Sequence, residues 1–271
     1  MLRVIILTHG SAEALVDRLL PLPDVEIAAI LVEPPHKPQR SLLTRLKRSI
    51  KYDGFYATLR KLEGSAFSIS KGAGVLQKIN EQQSDLEAFA ISRQIPVFKV
   101  DNYHSASSLE LIQSLEPDLG ILYGTNIIKE EVFGIPRLGS INLHQGLAPL
   151  YRGGPTVFWE LFNGESEVGI TVHFVVSAVD AGDIIVQQKI PLNYDFEVYG
   201  LQYERFLDDY RRSLKEPSIA LIAEAVERIA RDGGRRTKQD LSRGKRYRLP
   251  TKREKNQLGR ILRKRWRATK N

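Results

Sequence analysis

No cysteine occurs in this chain of 271 residues. Disulfide staples, thiolate zinc centres and a cysteine nucleophile are therefore excluded together, and any chemistry must rest on oxygen and nitrogen side chains. Nor is there an apolar run long enough to cross a bilayer, which takes about 20 residues in succession. Met1–Leu7 has the composition of a strand rather than of a cleavable signal, so a cytoplasmic protein without a transmembrane segment is expected. A complete glycine-rich phosphate loop is missing as well. Thr8-His9-Gly10-Ser11, after the first apolar run, has a single glycine, and His9 and Ser11 read as loop and helix-cap residues.

Charge is plentiful but unevenly placed. The chain carries 40 Lys+Arg and 32 Asp+Glu, a formal +8, yet 16 of the basic residues and only two acids, Asp240 and Glu254, lie in Arg235–Asn271. That leaves 24 basic and 30 acidic residues in a mildly acidic body, against a C-terminal stretch of +14. Tyr247, Leu249, Leu258, Ile261, Leu262 and Trp266 interrupt the basic clusters, and Leu258–Trp266 has the pattern of a short basic amphipathic helix. Two readings stand. One is a tail that meets an anionic partner, whether a nucleotide diphosphate, RNA, an anionic membrane or the acidic body; the other is a solvated tail.

Ahead of that stretch, short apolar runs alternate with helical patterns. Arg3–His9, Val25–Val32, Ile95–Val100, Asp118–Gly124 and Ser140–His144 read as strands, and Ala12–Leu20, Leu86–Gln94 and Ser105–Leu115 as helices. This alternation predicts an α/β fold with a doubly wound, mostly parallel, Rossmann-like sheet. Pro34–Pro38 breaks regular structure. The basic, amphipathic Ser41–Glu63, followed by Lys71-Gly72-Ala73-Gly74, marks a helical insertion at about 41–74, with Tyr52, Phe55 and Tyr56 packing it onto the body. Val168–Val176 and Ile184–Ile190 add two strands, and Phe196–Arg231 is helical with an apolar stripe through Leu214, Ile219, Ile222, Val226 and Ile229. The expected organisation is a catalytic domain over 1–195, a helical appendage over 196–234 and a basic tail over 235–271. Monomer and dimer fit this pattern equally well.

The most informative stretch is Gly139–Gly154. In Ser140-Ile141-Asn142-Leu143-His144 polar and apolar side chains alternate, so Asn142 and His144 project from one face of a strand. The glycines and Pro149 that follow enforce a sharp loop just where those two groups emerge. Farther on, Val179-Asp180-Ala181-Gly182-Asp183 supplies a carboxylate in a tight turn after a second strand, on which Thr171 and His173 share a face. An amide donor, an imidazole and a carboxylate form a kit for acyl transfer to an amine. The first two stabilise an oxyanion, and the carboxylate orients the imidazole and manages the amine's proton.

Asn142-Leu143-His144, Leu147-Ala148-Pro149-Leu150-Tyr151-Arg152-Gly153, Val172-His173-Phe174-Val175 and Val179–Gln187 together resemble the signature of the folate-dependent formyltransferases. The family pattern is N-x-H-P-S-L-L-P-x-Y-R-G followed by D-x-G-x-I-x-x-Q. Here Gln145-Gly146 stands in place of Pro-Ser, and Ala148 in place of the second Leu. The resemblance implies 10-formyltetrahydrofolate as formyl donor, no metal, and Asn142, His144 and Asp180 as catalytic residues. It also implies that Gly124-Thr125-Asn126-Ile127-Ile128 contacts the pterin, and that His173 stands near the catalytic Asp. Arg152 with Gly153 either orders the loop or contacts an acceptor phosphate. Among the family's acceptors, elimination favours a nucleotide-linked amino sugar, with methionyl-tRNA and glycinamide ribonucleotide as alternatives. Hydrolysis of formyltetrahydrofolate is the rival chemistry, and a non-catalytic RNA-binding protein the rival class.

Overall fold

Strand β1 (Leu2–Thr8) takes the middle of the sheet because its side chains are apolar in both directions. Val4 and Ile6 enter one core, and Ile5 and Leu7 enter the other. A computed structural model of the protein describes residues 1–34, 41–55, 57–58, 81 and 84–269. The other strands are β2 (Val25–Val32), β3 (Val97–Lys99), β4 (Leu119–Tyr123), β5 (Ser140–His144), β6 (Tyr151–Gly153), β7 (Glu167–Phe174), β8 (Ile184–Pro191) and β9 (Lys245–Tyr247).

Seven strands form one sheet in the order β3-β2-β1-β4-β5-β7-β8. The ladders from β3 through β5 are parallel, whereas β7 runs antiparallel to both β5 and β8. The chain thus begins as the expected doubly wound sheet and ends as an antiparallel meander. The order reverses at β1 and β4, and ligands of such sheets lie beyond the carboxyl ends of the strands on either side of a reversal.

Each face is covered by helices whose apolar residues recur every three or four positions. Lys215–Asp232 turns Ile219, Ile222, Val226 and Ile229 inward, packs beside the helix Glu13–Leu19 and over β7 and β8, and stops at Gly233 with φ 77. The other face is covered by Ala106–Ser114 and Glu130–Phe133, which bury Ile112, Val132 and Phe133. Within the predicted insertion, Leu42–Asp53 is a helix capped by Ser41, whose Oγ accepts from Thr44 N at 3.3 Å. The rest of that insertion, with Tyr56 and Lys71-Gly72-Ala73-Gly74, lies outside the described residues.

The basic stretch from Arg235 onward is threaded across the body. Thr237 and Ile184 exchange backbone hydrogen bonds of 2.8 Å in each direction. Strand β9 then pairs in parallel with β6, Arg152 opposite Arg246 and Gly153 opposite Tyr247. Side chains reinforce that ladder: the Tyr151 and Tyr247 rings stack at 5.1 Å, and Trp159 Nε1 donates to Arg248 O at 2.9 Å. The final helix, Lys252–Thr269, buries Leu258 and Leu262 completely. Among the described residues no helix is long and apolar enough to cross a membrane.

Because Leu258 is fully enclosed, Leu258→Ala should lower the unfolding free energy by about 2–5 kcal/mol. Urea denaturation measures this, and an unchanged midpoint would mean that the final helix does not belong to the folded core.

Candidate functional site

Register sets the first part of the site. The β5–β7 ladder places Asn142 opposite His173 and His144 opposite Thr171. The turn after β7 then returns Asp180 to the same end of the sheet. At Gly182 a Cβ would stand 1.8 Å from Phe174 O, so only glycine lets the turn close this tightly. Asp180 itself has φ 50, a left-handed backbone that Asp tolerates better than most residues.

The Asp180 carboxylate is the point of convergence. Its Oδ2 accepts from Gly153 N at 2.8 Å and lies 3.3 Å from His144 Nδ1, while its Oδ1 is 3.5 Å from His173 Nε2. Both imidazoles are nearly enclosed, and each turns its other nitrogen to a backbone carbonyl: His144 Nε2 to Tyr151 O at 2.7 Å, His173 Nδ1 to Phe174 O at 2.8 Å. A carbonyl only accepts, so those nitrogens carry protons. The nitrogens facing Asp180 are then lone pairs unless a ring is an imidazolium, and a carboxylate between two lone pairs would be repelled. A proton on one of those ring nitrogens turns the contact with the carboxylate into an attraction.

The electrostatics bear on where that proton resides. Burial pushes the Asp180 carboxyl up, but the His173 contact, the charge of His144 and the Gly153 N–H outweigh it and hold the group down to about 2. Burial lowers the His144 pKa, and Asp180 and the Tyr151 carbonyl offset only part of that. Asp180 thus stays ionised, and its charge favours a proton on His144 against the burial that opposes it.

Neighbouring side chains fix the loop between β5 and β6. Thr171 Oγ1 donates to Gly146 O at 2.7 Å and accepts from Ala148 N at 3.2 Å, while Gln187 Nε2 donates to Ala148 O at 2.7 Å. At Gly146 a Cβ would lie 2.3 Å from His144 Nε2 and 2.6 Å from Tyr151 O, inside the hydrogen bond that fixes the imidazole. The Gly that departs from the family pattern is therefore what permits this His144 orientation. On the far side, Gln239 Nε2 donates to the carbonyls of Asp180 at 3.1 Å and Gly182 at 2.6 Å.

Two cavities meet at Asp180. A narrow slot of about 200 Å³ is lined by Thr125, Ile127, Ile128, Asn142, His173 and Val175, among others. A wider one of about 670 Å³ is walled by His144, Gly153, Trp159, Lys245, Arg246 and Tyr247, and shares Ile127, Val179 and Asp180 with the slot. Of the residues singled out from sequence, Asn142, Thr125, Ile127, Ile128 and His173 face the slot, and His144 and Gly153 face the wide cavity. Gly124 lines neither and turns the chain with φ 70. Arg152 flanks Gly153 with its Nε buried and without a hydrogen bond. Among the described residues no three metal-ligating side chains cluster.

Some contributors left no readable signal. His9, expected to be a loop and cap residue, has Nδ1 on Glu33 O at 2.8 Å, and its Nε2 accepts from Asn126 N at 3.0 Å, which ties the end of β1 to the slot loop. Gln239, Lys245, Arg246 and Tyr247 sit about a hundred residues from Asn142 in a stretch whose charge masks its short strand.

Fold and site together define an α/β protein that brings an amide, two imidazoles and a carboxylate to the carboxyl ends of its strands. Residues 64–208, more than half the chain, match the family described as Formyl transferase, and the chain belongs to that family. It is similar to the methionyl-tRNA formyltransferase of Parabacteroides distasonis, 35% identical over 111 residues, 41% of this chain and 34% of that protein. The chain spans between a third and a half of the length of the curated relatives it matches. In structure it is similar to phosphoribosylglycinamide formyltransferase from Anaplasma phagocytophilum, with a TM-score of 0.56 and 19% identity over 86% of this chain and 88% of that one. It is also similar to an N-formyltransferase from Helicobacter canadensis in complex with folinic acid and dTDP-3-aminofucose, with a TM-score of 0.50 and 18% identity over 92% and 71%. At such identities the likeness is one of fold.

Two outcomes follow from this geometry. As pH falls from the ordinary carboxyl value of about 4 toward 2, the unfolded chain takes up a proton that folded Asp180 resists, so stability present above pH 4 is lost. Asp180→Asn should remove about 2 kcal/mol of that acid-side loss, read from urea titrations between pH 5 and pH 2. Gly146→Ala should displace the His144 ring from its enclosed position. Its pKa, followed by NMR, should rise toward that of a solvated histidine; an unmoved titration would contradict the steric argument.

Proposed function

We propose that this chain transfers a formyl group from 10-formyltetrahydrofolate to an amine. The observation that carries the reading is the position of Asp180 where the narrow slot meets the wide cavity, with the Asn142 amide facing the slot. The slot suits a flat heteroaromatic donor: its walls include Leu122, Ile127, Ile128 and Val175 together with polar groups from Thr125, Asn126 and Asn142, and Ile127 is 78% exposed, an apolar surface that a ring would cover. Similarity to a protein in complex with folinic acid supports the same assignment.

When bound, the donor supplies the formyl carbon that the acceptor amine attacks. Asn142 donates its amide N–H to the formyl oxygen as negative charge builds there. The hydrogen bond to the Tyr151 carbonyl occupies His144 Nε2, so His144 acts through Nδ1, on the side of Asp180. Asp180 and His144 would take the proton released by the attacking nitrogen and return it to the donor nitrogen as the bond from the formyl carbon to that nitrogen breaks and tetrahydrofolate leaves, which the ionised carboxylate favours. Holding donor and amine in adjoining cavities converts an encounter into an intramolecular step.

The acceptor reading changes from the one reached by elimination. The names of the curated relatives favour methionyl-tRNA over a nucleotide-linked amino sugar, and solved neighbours include proteins that act on either small molecule class. All these acceptors are amines that also carry phosphate, and the basic wall of the wide cavity suits that shared feature. The functional unit is then residues 1–195 together with the stretch from Arg235, which supplies this wall, with 196–234 as the helical support beneath it.

Asn142→Ala and Asp180→Asn should each lower turnover about a hundredfold or more. Mass spectrometry of initiator Met-tRNA, glycinamide ribonucleotide and a panel of nucleotide-linked amino sugars, each incubated with protein and donor, reads this out. Near-native turnover in both variants would sink the site assignment, and formate released without a formylated acceptor would establish hydrolysis instead.

A further inference from the structure

The wide cavity is lined by Lys245, Arg246 and Arg248, and two of these have no carboxylate partner among the described residues. Arg248 is satisfied: its guanidinium meets both Glu254 oxygens, at 2.9 and 3.0 Å. Lys245 and Arg246, its neighbours on β9, have no carboxylate partner among the described residues, and the Lys245 ammonium stands over the Tyr247 ring, 4.7 Å from its centroid. Opposite Arg246 in the ladder stands Arg152, whose Nε is buried and without a hydrogen bond. Lys245 and Arg246 put like charge side by side on one wall of this cavity. One anion bound between them relieves that repulsion.

We infer that Lys245 and Arg246 of β9 form a binding site for a phosphate group carried by the acceptor. The inference rests on the formyl-transfer reading only for the position of the amine. Guanidinium groups suit phosphate because their fork matches two of its oxygens, and the Lys245 ammonium adds a point charge at the rim. The site is built into the backbone as well. Gly153, with φ 61, leaves room for the Arg246 stem, because a Cβ there would stand 3.1 Å from its Cγ, and the same residue gives its N–H to Asp180. One residue therefore joins the catalytic carboxylate to the anion site. Asp180, Lys245 and Arg246 all line the wide cavity, so the amine and the phosphate of one acceptor lie within that single space. The site selects acceptors in which amine and phosphate fit there together, which a sugar nucleotide and the 3′ end of an aminoacylated RNA both satisfy.

Calorimetric titration of the full chain with inorganic pyrophosphate, and separately with folinic acid, tests the site. The native protein should bind pyrophosphate, and Lys245→Gln/Arg246→Gln should bind it at least tenfold more weakly while folinic acid affinity stays the same. The difference should shrink as salt is raised. Arg246→Lys, which keeps the charge but not the fork, should fall between them, and it serves as the comparison if the double variant melts early. Equal pyrophosphate binding by native protein and variants, or none by the native protein, overturns the site. Failure of folinic acid to bind the native chain counts against formyl transfer instead, and the pyrophosphate comparison still decides the anion site. Displacement of pyrophosphate by uridine diphosphate identifies a nucleotide-linked small acceptor, and displacement by a short single-stranded RNA identifies a nucleic acid; either upholds the site.

Discussion

A carboxylate kept ionised inside a protein needs compensation from several directions, and the architecture around Asp180 supplies it. Only 13% of the side chain is exposed, yet its oxygens meet a backbone N–H and two imidazoles. Those partners come from β5, β6 and β7, so the antiparallel return of β7 against β5 is what assembles them. A parallel sheet alone would leave His173 and the Asp180 turn elsewhere. Once the carboxylate is fixed, the rest of the site follows from it. His144 is held between Asp180 and the Tyr151 carbonyl, and Gly146 and Gly182 occupy the positions where any side chain would collide.

The stretch after Arg235 shows how charge density can conceal a structural role. Its 16 basic residues would repel one another in a free tail, but here the backbone supplies the cohesion. The Thr237 bridge, the β6–β9 ladder and the Gln239 contacts to the Asp180 turn are all hydrogen bonds to main-chain groups, which leaves the charged heads outside. Tyr247, Leu258 and Leu262 then supply the apolar anchorage. The same stretch packs on the Asp180 turn and places Lys245 and Arg246 on the wall of the wide cavity.

Two unlike cavities meeting at one carboxylate give the molecule a division of labour. The slot beside Asn142 is the smaller, and it sets the aliphatic side chains of Ile127, Ile128 and Val175 against polar groups from Thr125, Asn142, His173 and Asp180. The wide cavity is aromatic and cationic, which favours a larger anionic molecule. The two cavities share Ile127, Val179 and Asp180, so the rest of either lining can change without disturbing the other.

The sequence by itself determined the sheet and its helices, because a period of two or of 3.6 in apolar residues follows from how each element buries one face. It also determined Asn142, His144 and Asp180 as a set, since their types, order and flanking glycines carry the family pattern within the chain. His173 and the Thr125–Ile128 segment were legible by resemblance alone. Tertiary structure decided the rest: which His144 nitrogen meets a carbonyl, why residue 146 is Gly, how His9 latches the slot loop, and where Lys245 and Arg246 stand. These are contacts between residues far apart in the chain, made through backbone atoms that every residue possesses. A three-residue strand of Lys, Arg and Tyr has no apolar period to announce it, and its place became visible only when the ladder to β6 was formed.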